Sequence, residues 1–253
     1  MLDVNLDDVV ASTKKIKVAM RIAYNGGAFL GFQSQKDVLS VANMLENVLK
    51  SIGVFSKVVA SGRTDKGVHA SAQVICLEIP LFWRDLERLK SHLNQKLGQK
   101  IYIKRIWEVR EDFHARFSVK RRGYCYVLSK RTSPLFAPFT LCYTLKNPAL
   151  VKEALQLFVG RHNFIAFRKQ GSKEKSSVRV IFKAQLREFK DFWILSFWGN
   201  GFLRSQVRLM VGFVLEIDQG NLTLEDLRAQ LQGEILYRIP IAAKGLFLSR
   251  VDF

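Results

Sequence analysis

The pattern of apolar and polar positions in the first half predicts alternating strands and helices. From Lys15 to Tyr24 every second residue is apolar, which is typical of a half-buried strand. Two stripes at helical spacing end at Gly53 and Gly98, as helices commonly do. The predicted elements are strand 15–24, helix 38–52, strands 58–61 and 73–79, helix 86–97 and strand 101–109. Their order is βαββαβ.

The second half repeats this order without a convincing residue-level repeat. Its predicted elements are strand 124–129, a helix from Pro148 that stops at Gly160, strands 178–189 and 192–198, a helix from Leu203 that ends before Gly220, a short helix after Thr223, and strand 246–253. Asn147 followed by Pro148 predicts a helix start, and Thr223 with Asp226 predicts a capping box. We therefore expect an α/β (α+β) protein of two ferredoxin-like, RRM-like βαββαβ units, residues 1–110 and 111–253. Their antiparallel sheets would lie side by side and form a basic RNA-binding cleft.

The net charge indicates a polyanionic partner. The chain of 253 residues has 40 Lys and Arg against 22 Asp and Glu, a net charge of +18. Residues 161–190 alone contain nine basic residues and two acidic ones. Nucleic acid is the simplest such partner, because neutralised phosphates drive the binding, although a merely soluble basic surface is the alternative.

Other classes are disfavoured by composition. No apolar run reaches the 18 residues of a membrane span, and the acidic N-terminus argues against a targeting peptide. The three cysteines have no metal-like spacing. A cytoplasmic, metal-free protein without membrane contact is therefore expected.

The turn Gly62-Arg-Thr-Asp-Lys-Gly-Val-His69 contains the most informative candidate chemistry. Its glycines favour a tight loop, and the neighbouring cations favour the ionised form of Asp65. A charged carboxylate held in a loop can act as a nucleophile. The alternative is a solvated turn whose aspartate bonds its own backbone.

Two segments of the second half could contact RNA. Arg122-Gly-Tyr-Cys-Tyr-Val127 partly matches the aromatic signature of RNA-recognition motifs, yet lies on the wrong strand for it. Two other interpretations of this segment remain open, namely an ordinary half-buried strand and a strand that presents a single tyrosine to a substrate base. On the helix that follows Phe202, Arg204 and Arg208 share one face. We expect an exposed Arg204, and an Arg208 that faces a buried anion.

The histidines leave further alternatives open. His69 and His114 could act as acid–base groups, although a structural or RNA contact is the simpler interpretation for both. No phosphate loop and no Ser-His-Asp spacing is present in the sequence. A nuclease that uses one histidine with a carboxylate, and a non-catalytic tandem RNA-binding protein, both remain possible interpretations.

The ordered motifs resemble the tRNA pseudouridine synthase A family. They are Tyr24-Asn-Gly-Gly-Ala-Phe-Leu-Gly-Phe-Gln-Ser-Gln35, the Gly62–His69 turn, Phe113-His-Ala-Arg-Phe-Ser118, Tyr124-Cys-Tyr126, Phe164-Ile-Ala-Phe-Arg168, 202–212 and 245–253. The resemblance implies a cofactor-free homodimer that isomerises uridine to pseudouridine at positions 38, 39 and 40 of the tRNA anticodon stem-loop. The departures from the family pattern include Phe32, Gly123 and Leu209.

The resemblance also implies roles for individual residues. Asp65 matches the catalytic nucleophile, Arg208 the basic residue paired with it, and Tyr124 the tyrosine that stacks on the target base. Arg63 matches an arginine that holds the target nucleotide out of its stack. His69 and Arg168 lie in matching motifs and are expected to contact the substrate.

Overall fold

The computed structural model describes residues 14–35, 38–171 and 176–253. The acidic N-terminal segment and two members of the basic run, Lys173 and Lys175, lie outside the described residues. The chain divides into two compact units, Met1–Val119 and Lys120–Phe253. The sequence placed this boundary near Arg110. Residues 111–119 belong to unit 1, where the Ala115 N–H donates to Cys76 Sγ at 3.4 Å.

Unit 1 contains four strands and two helices among its described residues. They are β1 (Lys15–Tyr24), α1 (Val41–Lys50), β2 (Val59–Ala60), β3 (His69–Pro80), α2 (Leu86–Leu97) and β4 (Ile101–Glu108). β1 pairs antiparallel with both β3 and β4, and β2 pairs antiparallel with β3. The strand order is thus β4-β1-β3-β2, and the predicted order of elements is confirmed for this unit.

The core of unit 1 follows from the two predicted periods. On the apolar face of β1, Val18, Met20 and Ile22 are fully buried, while Ile16 near the start of the strand is half-buried. The helix stripes supply Leu45 from α1 and Leu89 from α2, both buried. Helix α1 begins where the Ser40 side chain accepts a hydrogen bond from Asn43 N at 3.1 Å, not at Val38 as the stripe suggested.

Unit 2 contains six strands and three helices among its described residues. They are β5 (Arg121–Ser129), β6 (Leu141–Cys142), α3 (Pro148–Leu157), β7 (Gly160–Asn163), β8 (Val178–Phe189), β9 (Phe192–Gly199), α4 (Gln206–Gln219), α5 (Leu224–Gln232) and β10 (Leu246–Asp252). Hydrogen-bonded neighbours run β10-β5-β9-β8-β7, all antiparallel. β6 joins β5 in parallel. The mixed α/β class is confirmed, while β6 and β7 were not predicted.

Helix α4 is the central helix of unit 2. Eleven of its residues are buried, among them Phe213, which contacts Phe167 with 5.9 Å between ring centroids. The helix begins after Ser205, whose φ of +59° is unusual for a residue with a side chain, and ends at Gly220 with φ +86°. The capping box of α5 is confirmed, because Thr223 and Asp226 bond each other's backbone N–H.

Candidate functional site

Asp65 lies in the loop that connects β2 to β3 in unit 1. The loop is tightened by a hydrogen bond from Val68 N to Asp65 O at 3.1 Å and by Gly67, whose φ is +79°. Asp65 is half-buried, whereas Arg63 and Lys66 are exposed on either side. The predicted glycine-bracketed turn is therefore present, with a half-buried Asp65 and two exposed basic residues beside it in the chain.

The last residue of β1 and the segment that follows it hold Thr64, the residue that precedes Asp65. The Tyr24 hydroxyl and Thr64 Oγ1 are 2.8 Å apart, and both side chains are buried. Phe32 N also donates to Thr64 O at 3.2 Å. Gly31 permits this approach, since a Cβ there would lie 3.1 Å from Thr64 O and its φ is +108°. The Tyr24–Gln35 motif thus acts locally as a support of the Asp65 loop.

His69 holds the other end of the loop. It is 1% exposed, and its Nδ1 accepts a hydrogen bond from Gly26 N at 3.0 Å. A ring nitrogen that accepts carries no proton, so a neutral His69 has its proton on Nε2. This contact gives His69 a structural role, and its expected contact with substrate stays a prediction.

Gly26 makes the contact with His69 possible, which predicts a sharp effect of an added methyl group. A Cβ on Gly26 would lie 2.1 Å from Val68 O, whereas one on Gly27 would meet only the Asn25 side chain at 3.2 Å. We expect Gly26→Ala to lower the free energy of unfolding by about 1–3 kcal/mol. Gly27→Ala is the matched control, with a change within about 0.5 kcal/mol. Denaturant titration measures both, and equal values would contradict the close approach.

Tyr124 lies on β5 in unit 2, between Leu248 of β10 and Phe197 of β9. Its side chain is 8% exposed and meets the Phe202 ring edge-on, with centroids 5.1 Å apart and an angle of 81° between the planes. Such edge contacts fix the orientation of a ring. Tyr124 is therefore held in a defined orientation beside the turn that begins α4.

The departure at Gly123 has a steric reason in this chain. A Cβ there would lie 3.0 Å from Trp198 Cδ1 and Nε1 on one neighbouring strand and 3.0 Å from Arg250 Cβ on the other. The Trp198 indole therefore occupies the space that a longer side chain at this position would need. Lys183 Nζ lies 5.6 Å from the centroid of the Trp198 ring, so a cation is present on this face of the sheet.

Arg208 is half-buried on α4, and a backbone carbonyl fixes part of its guanidinium. Its Nε donates to Ile241 O at 2.7 Å, while Ile241 N donates to Arg208 O at 3.2 Å. Burial raises the pKa of the Tyr126 phenol, and the nearby charge of Arg208 opposes that rise. A positive charge is thus present beside the buried part of β5. The expected exposure of Arg204 is observed.

Residues 236–242, here called the strap, connect several of these parts of unit 2. The buried Gln230 side chain bonds Leu236 N, Tyr237 N and Tyr237 O at 2.8–3.1 Å. Ala242 O accepts from the Tyr126 hydroxyl at 2.8 Å, next to the Ile241 contact with Arg208. Sequence reasoning missed the strap, because it has neither a helical nor a strand period. The sequence signal is a glycine inside a helical stripe, Gly212, and the structure explains it, because a Cβ there would lie 2.8 Å from Ile239 O.

Arg168 follows the Phe164–Phe167 segment and is half-buried. Its carbonyl accepts from Arg238 of the strap, through Nε at 3.1 Å and Nη2 at 2.9 Å. Arg238 also bonds Ile165 O at 3.1 Å. The strap therefore holds both Arg168 and Arg208, while a substrate contact of the Arg168 side chain stays a prediction.

His114 closes a compact turn. Its Nδ1 accepts from Arg116 N at 3.1 Å and Phe117 N at 3.3 Å, and its N–H donates to Ser118 Oγ at 3.1 Å. These hydrogen bonds give His114 a structural role, because they stabilise the turn of the Phe113–Ser118 motif. The nuclease interpretation therefore gains no support from this side chain.

Within the described ranges, no three His, Cys, Asp or Glu side chains cluster as a metal site would require. None of the helices in the described part of the chain is long and apolar enough to cross a membrane.

The chain is similar to proteins of one family. A sequence profile described as tRNA pseudouridine synthase matches residues 20–118 and 154–253. A protein of Wolinella succinogenes named tRNA pseudouridine synthase A is 39% identical over 92% of this chain and 92% of its own. Proteins of the same name from Helicobacter hepaticus (39%, covering 92% and 97%) and Campylobacter jejuni (37%, covering 94% and 100%) are similar too. These matches show that the chain belongs to the tRNA pseudouridine synthase family.

Proposed function

We propose that this protein isomerises uridine to pseudouridine at positions 38, 39 and 40 of the tRNA anticodon stem-loop, with Asp65 as the nucleophile. Family membership supports an isomerase that acts on uridine in tRNA. The observation that carries the assignment of Asp65 is its loop. Buried hydrogen bonds hold the loop at Thr64 and His69, so the backbone on both sides of Asp65 has a defined position.

The reaction is a rearrangement within one nucleotide. The N1–C1′ bond breaks, the uracil rotates, and a C5–C1′ bond forms, while C5 loses a proton and N1 gains one. The atoms and the oxidation level of the nucleotide are unchanged, so the chemistry requires no redox agent. Asp65 can assist by attack at C1′, by attack at C6, or as a base towards the sugar, and these three routes remain alternatives.

The other residues would hold the uridine for Asp65. The target base must leave its stack, which costs a few kcal/mol that phosphate contacts offset. We assign Tyr124 as the aromatic surface under the base, Arg208 as the partner of the Asp65 carboxylate, and Arg63 as the cation that keeps the nucleotide out of its stack. His69 and Arg168 are assigned to substrate contacts on the strength of their motifs.

One assay tests this function against its rivals. The protein is incubated with tRNA tritiated at uracil C5, and tritium release and strand length are followed. Tritium release from intact RNA is expected. Strand cleavage would instead indicate a nuclease. If neither tritium release nor cleavage occurs, the remaining interpretation is a non-catalytic RNA-binding protein. Substrates with a single uridine at position 38, 39 or 40 test the position directly.

Substitutions of Tyr124 distinguish a role in base stacking from a role in proton transfer. Stacking needs only an aromatic face, worth roughly 1–3 kcal/mol per base, whereas removal of the C5 proton needs the hydroxyl. We expect Tyr124→Phe to form an early intermediate but to complete the isomerisation poorly, because the oxygen is lost. Tyr124→Ala should lose the early step as well. Tritium release and trapping of an RNA adduct measure the two steps, and wild-type turnover by Tyr124→Phe would eliminate the hydroxyl role.

The same resemblance supports three further parts of the proposal. We infer a homodimer, a cytoplasmic location and a reaction without a cofactor. Light scattering of the protein as it elutes from a size-exclusion column is expected to give a molecular mass twice that of one chain, which is 29.0 kDa. A mass equal to that of one chain at micromolar concentration would contradict the homodimer.

A further inference from the structure

An edge of the unit 1 sheet carries two arginines directly opposite each other. In the β1–β4 register Arg21 pairs with Arg105, and both side chains are exposed. Like charges at directly opposed positions destabilise a sheet. Elsewhere on β1 the register avoids this, since Lys17 lies opposite Glu78 of β3. Arg21 lies opposite Val74 on that side, so neither neighbouring strand offers it a carboxylate in register.

The residues around this pair add cation and aromatic surface. Tyr102 lies opposite Ala23, two residues along β1 from Arg21, and is 56% exposed. Lys104 is the extra residue of a bulge in β4 and is also exposed. Arg21, Tyr102, Lys104 and Arg105 are here called the edge patch. Among the described residues, neither Arg21 nor Arg105 forms a salt bridge.

The edge patch begins at the end of the sheet that supports the Asp65 loop. Ile101, next to Tyr102, lies opposite Tyr24, whose hydroxyl contacts Thr64. Along β1, Arg21 is three residues from Tyr24, or about 10 Å. Since Tyr24 contacts the residue that precedes Asp65, an RNA strand with one nucleotide at Asp65 would reach the edge patch within several nucleotides.

We propose that the edge patch binds the phosphodiester backbone of the tRNA substrate, with an unpaired base stacked on Tyr102. The inference rests on the proposed function for its ligand, and it adds a binding surface outside the Asp65 loop. Bound phosphates would relieve the repulsion between Arg21 and Arg105, and an exposed aromatic ring suits a base of any sequence. The direct opposition of Arg21 and Arg105 in register, with no salt bridge to either among the described residues, is the observation that distinguishes this patch from the rest of the basic surface.

The test measures binding of an unmodified tRNA transcript by fluorescence anisotropy at several salt concentrations. The double variant Arg21→Gln/Arg105→Gln is expected to bind about tenfold or more weakly, with a salt slope smaller by about two. The matched control is Arg84→Gln/Arg88→Gln, which removes the same charge from exposed positions at the start of α2. The control should retain most of the wild-type affinity and slope.

Two further measurements separate binding from folding and stacking. If the two arginines repel each other, the double variant should melt at or above the wild-type temperature in low salt, so weaker binding cannot come from unfolding. Tyr102→Ala should weaken binding about fivefold or more, and Tyr102→Phe should bind like wild type.

The outcomes distinguish this proposal from the proposed chemistry. Wild-type affinity and slope in the double variant, or a loss no larger than that of the control, overturns the edge patch even if tritium release is normal. A reduced slope in the double variant supports the edge patch even if the wild-type protein releases no tritium. In that case only the proposed chemistry fails.

Discussion

Asp65→Asn is expected to abolish pseudouridine formation, with a rate at least about 10⁴-fold below wild type. The change removes the charge and the nucleophilic oxygen pair but keeps the shape of the side chain. Its affinity for tRNA should stay within a few-fold of wild type, because we expect phosphate contacts of the basic residues, 40 in the chain, to supply most of the binding. Tritium release from C5-labelled tRNA measures the rate, and anisotropy measures the affinity.

The control for this change is Asp112→Asn. Asp112 is an exposed aspartate of the same unit, with 70% of its side chain accessible, and it pairs with Arg110 at 3.1 Å. The same chemical substitution there should leave turnover near the wild-type value. Ordinary turnover by Asp65→Asn, purified from cells without wild-type enzyme, would refute the assignment of the nucleophile.

Arg208→Met should also lower the rate severely, and it should reduce stability. The variant loses the hydrogen bond from Nε to Ile241 O and leaves that carbonyl without this partner. If Arg208 neutralises Asp65 as proposed, an unpaired carboxylate remains as well, and the total loss is about 3–5 kcal/mol. Denaturant unfolding and tritium release measure the two effects.

A double variant isolates the proposed pairing. Arg208→Met combined with Asp65→Asn should recover part of the stability, because the unpaired charge has been removed. Arg208→Lys is the matched control, since it keeps the charge but cannot reproduce the fork of the guanidinium. A double variant no more stable than Arg208→Met alone would mean that the two side chains do not interact.

The sequence by itself determined the order of strands and helices in unit 1 and most of the elements in unit 2. The alternation in β1 and the stripes of α1 and α2 depend on residues a few positions apart, so their periods are readable from the chain. The same holds for the capping box at Thr223 and for the glycine-bracketed turn around Asp65. Strands β6 and β7 were missed because segments of two and four residues are too short to show a period.

Only the tertiary structure decided which distant residues support the candidate site. The contact of Tyr24 with Thr64, the burial of His69 against Gly26, and the strap contacts of Arg208 join segments far apart in sequence. The opposition of Arg21 and Arg105 likewise depends on strand register, which a bulge at Lys104 shifts. Local periods predict which face a residue occupies, but register and close backbone approach are set by the packed chain, and these fix the neighbours of each functional side chain.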